Sequence, residues 1–129
     1  MPYETTWEPN GICQKFWGIV ESPELFDSLT DVHRDPRFKS PRYVIKDYLD
    51  VEVFDVGVKT IVDGLAFNAA AKHRNPHIVV AVVTTDPRII ESSKAALSYR
   101  LDAYPRRIFA TLAEARAWVN ERETVAVKP

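Results

Sequence analysis

The sequence holds a single cysteine, Cys13, in 129 residues. One thiol can neither close an internal disulfide nor build a cysteine-rich zinc site, which fits a reducing, cytoplasmic compartment. Glycine is scarce, with four in all, and none forms a glycine-rich phosphate loop. A G-x-S-x-G nucleophile elbow and an H-E-x-x-H zinc helix are missing as well. No apolar run nears the ~20 residues of a membrane helix, and the longest, Ile78–Val83, is the length of a strand. The first residues, Met1–Pro9, are polar and mildly acidic rather than charged and then apolar, so they do not read as a signal peptide. An excess of one charge is also lacking. A formal net charge of −1 provides no basic surplus for nucleic acid and none for an anionic membrane surface.

Side chains for metal or nucleophilic chemistry are thinly spread. His33, His73 and His77 fall on different elements, and Pro76 breaks any helix that would bring the last two together. Cys13 sits in a strand with no base near it in sequence, the setting of an inert buried thiol.

What is present is ordinary globular composition: 46% hydrophobic and 27% charged residues, enough to bury one core. Residues 1–123 read as a single α/β domain and 124–129 as a flexible tail. Asn10-Gly11 between Tyr3–Trp7 and Ile12–Val20 signals a β-hairpin, with Trp7 and Trp17 expected in the core. Ser22-Pro23-Glu24 starts a helix, by a side-chain cap and proline at the first helical position. Leu25, Phe26, Leu29 and Val32 form its apolar stripe, and Asp35-Pro36 ends it. Arg37, Lys39 and Arg42 then read as a solvated basic connector. Tyr43-Val44-Ile45 is a strand leading into an acidic turn with Asp47, Asp50, Glu52 and Asp55. Asp55 is expected to cap the next helix, whose buried face is Val58, Ile61, Val62, Leu65 and Ala69.

Ile78–Val83 has the unbroken apolar pattern of a strand covered on both faces. Thr84-Thr85-Asp86-Pro87 opens a third helix lined by Ile90, Leu97 and Leu101. Arg106–Ala110 is a short strand near an edge, and Thr111-Leu112-Ala113-Glu114 is a capping box. It opens a last helix whose core face is Leu112, Ala115, Trp118 and Val119. The class is therefore α/β: an N-terminal hairpin followed by βα units, in a mixed, mostly parallel sheet packed by about four helices. Right-handed crossovers winding one way would put all helices on one face. Covering the second face of Ile78–Val83 then calls for a helix there or a second copy of the chain, as in a homodimer.

The element order, together with several strings, resembles the SpoIIAA-like, STAS-type family of anti-sigma factor antagonists and their bacterial relatives. The strings are Asp35-Pro36-Arg37-Phe38, Tyr43-Val44-Ile45-Lys46-Asp47, Val80–Thr84, and Arg107-Ile108-Phe109 through Ala115-Arg116-Ala117-Trp118-Val119, and the likeness spans Ile12 to Glu121. In the antagonists, a serine just after an aspartate at the start of the second helix is phosphorylated by a partner kinase, adding charge beside a docking surface. The matching stretch here is Asp55-Val56-Gly57, and Val56 has no hydroxyl to modify. The resemblance thus implies a non-catalytic module without a cofactor, docking a protein partner through Asp50, Glu52, Asp55, Val56, Gly57 and Val58, and not switched there by serine phosphorylation. Two alternatives stand beside it. One is a carrier of a small apolar ligand or lipid, as in SEC14-type domains, which an enclosed apolar pocket would support. The other is a metal-dependent enzyme that gathers Asp47, Asp50 and Asp55 around a hard cation.

Overall fold

A computed structural model describes residues 2–98 and 104–127. The chain opens with the hairpin β1 (Tyr3–Trp7) and β2 (Gly11–Glu21), followed by α1 (Ser22–Arg34) and a 3-10 turn, Pro36–Lys39. Next come β3 (Tyr43–Asp55), α2 (Val58–Ala71), β4 (Val79–Val83), α3 (Pro87–Ser98), β5 (Arg106–Phe109) and α4 (Leu112–Val127). The five strands lie in the order β1-β2-β3-β4-β5. The first pair is antiparallel and the others are parallel. This is the α/β architecture that the sequence pattern implies, hairpin included.

The strands from β2 to β5 step in one direction, so right-handed crossovers carry α1, α2 and α3 onto one face. There Val32, Ala71 and Ile89 join Ile12, Phe16, Val44, Val80 and Val82 in the main core cluster. Helix α4 crosses the other face and sets Ala115 and Val119 against Tyr43, Ile45, Val79, Ala81 and Val83. All five residues of β4 are buried because helices cover the strand from both sides. A helix, rather than a second copy, therefore provides the second cover.

Several local expectations change. Trp17 is 39% exposed and Val58 66% exposed, so neither is core. Trp7 is half-buried against the main cluster, with the Arg37 guanidinium 4.2 Å above its ring. The connector after α1 is not merely solvated loop: it buries Phe38. Ile89, not Ile90, is the fully buried isoleucine of α3; the side chain of Leu97 and all of Leu101 lie outside the described residues. Helix α4 continues to Val127, past the point where a tail was expected. Ser22 does not cap α1; its Oγ instead accepts the Gly57 N–H at 3.0 Å, tying the starts of α1 and α2 together. Asp86 does cap α3, accepting the Arg88 N–H at 2.9 Å. Thr111 Oγ1 accepts the Glu114 N–H at 3.2 Å, but Glu114 turns to the Thr111 hydroxyl, so only half of the capping box forms.

The hairpin turn is correct for a different reason. The glycine with positive φ is Gly18, at 65°. Gly11 is needed because a Cβ there would come within 2.4 Å of the Tyr43 ring. That ring is held in place, since its hydroxyl donates to Glu8, which also takes two hydrogen bonds from Arg116 at 2.6 and 2.7 Å. Arg116 drives the Glu8 carboxyl below its ordinary range. This fork latches the hairpin loop to α4, 108 residues further along the chain. Charge-assisted bonds to a partly shielded carboxylate are worth about 1.5–3 kcal/mol. Arg116→Ala is therefore expected to lower unfolding free energy by about 1–3 kcal/mol, read as a lower urea midpoint with unchanged slope. Arg116→Lys, which cannot form the fork, is expected to recover only part of it.

Candidate functional site

The acidic stretch is strand, not turn. Strand β3 runs unbroken for 13 residues, and β4 pairs with it only from Tyr43 to Asp47. Beyond Asp47, β3 continues alongside β2 alone, out to the pair Glu21–Asp55. The register slips between Lys15 and Trp17 and again between Gly18 and Ile19, each time leaving an extra residue on β3. Such bulges raise the local twist, and the Gly18 backbone sits at the second. Asp47 closes the first by accepting the Leu49 N–H at 3.0 Å.

The resulting two-stranded ribbon has distinct faces. Val51, Phe54 and Val56 turn inward and pack on the main core cluster. Trp17, Ile19, Leu49 and Val53 are exposed, at 39%, 57%, 43% and 41%. Among the described residues, no helix covers them.

The six candidate residues share this ribbon and the junction after it, but they do not converge. Asp50 pairs with Lys15 at 3.1 Å, both more than half exposed, a contact worth little in water. Glu52 is exposed, and its carbonyl accepts from Arg88 at 3.3 Å. Asp55 ends the strand opposite Glu21 and does not cap α2, whose N-cap is Gly57 without a side-chain bond. Val56 is half-buried, while Val58 stands exposed at the first position of α2. Among the described residues no group of three or more His, Cys, Asp or Glu is placed to hold a metal. Asp47, Asp50 and Asp55 lie opposite Lys15, Trp17 and Glu21 and are strung along the strand at about 3.3 Å per residue rather than gathered, which removes the basis for the hard-cation alternative.

No family model and no curated protein matches the chain. A solved structure does: the crystal structure of an anti-sigma factor antagonist from Mycobacterium paratuberculosis, with a TM-score of 0.53, 17% identity, and 92% of both chains covered. The chain has the fold of an anti-sigma factor antagonist. Within that antagonist fold, Asp55-Val56-Gly57 forms the link from β3 into α2. No helix among the described residues is long and apolar enough to cross a membrane. Cys13 is half-buried, and burial pushes its thiol pKa up, away from the reactive thiolate.

One feature of this antagonist fold escaped sequence reasoning: a cavity between the sheet and the three helices of the main face. The centres of water-sized spheres can range over about 70 Å³ of it, so it has room for more than one buried water. Its lining includes Lys46, Arg106, Asn68 and Ser93 beside apolar side chains. Lys46 could have been noticed as the one charged residue in the run Tyr43-Val44-Ile45-Lys46; Asn68 sits on the buried stripe of α2 and carried no such signal. A smaller neighbouring cavity shares Leu29, Lys46, Asn68 and Arg106 and is also lined by His33.

His33 is 3% exposed, and its rings of contact are Phe38 at 4.7 Å and Phe67 at 5.0 Å. Its Nδ1 has no hydrogen-bond partner, a deficit of about 1–3 kcal/mol in a buried site. Burial first, then the positive charges of Lys46 and Arg74, push its pKa down to about 4, against a small opposing pull from Asn68. In the unfolded chain it titrates near about 6.5. The unfolded state therefore takes up a proton between those values that the folded state refuses. Stability from this group is complete above about pH 6.5, falls as pH drops toward about 4, and changes no further below; the whole effect is about 3 kcal/mol. His33→Leu is expected to flatten that part of the curve of urea-unfolding free energy against pH.

Proposed function

We propose that this chain is a non-catalytic, regulatory protein-interaction module that docks a partner through the projecting β2–β3 ribbon and the first turn of α2. The observation that carries this is the exposure of Trp17, Ile19, Leu49 and Val53 on one face of the ribbon, with Val58 exposed just beyond it. Monomeric proteins seldom leave apolar clusters in water without a use for them, and a tryptophan among aliphatic neighbours is a common centre of binding energy. Around this apolar centre lie the exposed acids Glu21, Glu52 and Asp55, so the complementary surface is apolar with a basic rim.

Likeness to a protein named as an anti-sigma factor antagonist supports the regulatory class. The place rests on the exposed apolar side chains of the ribbon. Serine phosphorylation does not operate at Val56, which lacks the hydroxyl. Beyond Asp47, β3 has a strand neighbour on its β2 side alone among the described residues, which offers the partner an edge as well as a face.

Affinity capture from the native cell, followed by titration of the purified partner, tests the proposal. Ile19→Lys and Val53→Lys put a charge into the apolar centre of the proposed surface, on side chains that the core does not need. Each is expected to keep the wild-type thermal midpoint and weaken the partner by about tenfold or more. Lys39→Ala, on the 3-10 turn, is expected to bind normally. A partner held equally well by both ribbon variants would overturn docking through this ribbon.

A further inference from the structure

The cavity under α1, α2 and α3 is built unevenly. Leu25, Phe26, Phe54, Ile61 and Ile89 provide apolar walls from four different elements. Leu29, Lys46, Asn68 and Arg106 line both this cavity and its smaller neighbour, so the cations and the amide stand where the two spaces meet. Among the described residues lining either space there is no Asp or Glu. Lys46 and Arg106 already have polar interactions, so an anion would join an existing network rather than create one. His33, 3% exposed, lines the smaller space with an Nδ1 that the protein leaves without a partner.

Small-molecule sites combine these same parts: mostly apolar walls with a few convergent polar groups that fix orientation. A guanidinium and an ammonium select a negative head, and a carboxylate matches the planar guanidinium fork. The aliphatic and phenyl walls select a hydrocarbon tail. We propose that the cavity binds a single-tailed amphipathic carboxylate, with its head at Lys46 and Arg106 and its tail among Leu25, Phe26, Phe54 and Ile61. This site lies on the inner side of the docking ribbon, which provides Phe54 as a wall, and its test does not depend on any protein partner.

The probes are sodium octanoate below its micellar range and 1-octanol, the same tail without the charge, titrated calorimetrically into the full chain. Octanoate is expected to bind one per chain and at least about tenfold more tightly than octanol, the margin of a charge-assisted hydrogen bond. Arg106→Gln and, independently, Lys46→Met are expected to shrink that preference while leaving octanol binding in place. Gly64 lines the same cavity, and a Cβ there meets Leu29 at an ordinary 3.5 Å. Gly64→Leu therefore fills the space from a helix interior that gains propensity by losing its glycine. It is expected to stay folded and to abolish binding of both probes. Equal affinity for octanoate and octanol would overturn the anionic head site. Undiminished octanoate binding by folded Gly64→Leu would overturn the location, and no binding of octanoate to the wild-type chain would overturn the proposal altogether.

Discussion

Unequal strand length is the constraint on which this molecule turns. Strands β2 and β3 are 11 and 13 residues long, whereas β4 and β5 have five and four. A sheet can be covered by helices only where it is wide, because a helix needs several adjacent strands beneath it to bury its stripe. The five-strand part therefore acquires helices on both faces, and the remainder of β2 and β3 projects as a ribbon with one face turned in. Two bulges on β3 absorb the difference in length and twist the ribbon, letting Val51, Phe54 and Val56 reach the core. The opposite face, with Trp17 and Ile19, has no helix to pack on among the described residues. Its exposure follows from topology rather than from a defect in patterning.

The two faces of the sheet are packed to different standards. Under α4 the contacts are apolar and close, with Ala115 and Val119 essentially without exposure. On the side of α1, α2 and α3 the buried residues include Ser28, Thr30, His33, Asn68 and Ser93. Small and polar side chains cannot fill space as leucine does, and each needs hydrogen-bonding room. Some of those needs are met locally, as where Gln14 donates to the Ser28 carbonyl at 2.8 Å. Asn75, 1% exposed, donates to the carbonyls of Phe38 and Pro41 at 2.9 and 2.7 Å and so pins the chain entering β3. What local bonding does not fill is the cavity.

Element order and fold class were legible in the sequence because they rest on periodicity, which a single chain displays directly. The five-residue buried run of β4, the stripe of α4 and the proline breaks each carried their own mark. The boundary of β3 was not legible. Asp50, Glu52 and Asp55 read as a turn because a bulge at Glu52 interrupts the two-residue period, leaving Val51 and Phe54 inward and Val53 outward. The expected nine-residue reach of Ile12–Val20 already needed a neighbour longer than Tyr43–Asp47. With the period broken by two bulges, the acids mark an early end to the strand, and the helix cap is expected at Asp55 rather than at Gly57. The cavity was less legible still. Lys46, Asn68 and Arg106 meet only through the fold, and His33 resembled an ordinary helix-end histidine beside Arg34.

At the junction itself, chemistry and packing agree. Val56 anchors on the main cluster, and the next residue, Gly57, is held by the Ser22 hydroxyl. A residue with its side chain half in the core is a poor place to add and remove a doubly charged group, since the charge would carry a desolvation cost that water elsewhere would spare it. Valine at position 56 instead fixes the junction between ribbon and helix by packing on the main cluster. Phe54 and Tyr48 line the cavity from the inner face of β3, and Leu49 and Val53 stand exposed on the same strand. Whatever fills the interior and whatever rests on the exterior would thus press on one backbone, through side chains one residue apart.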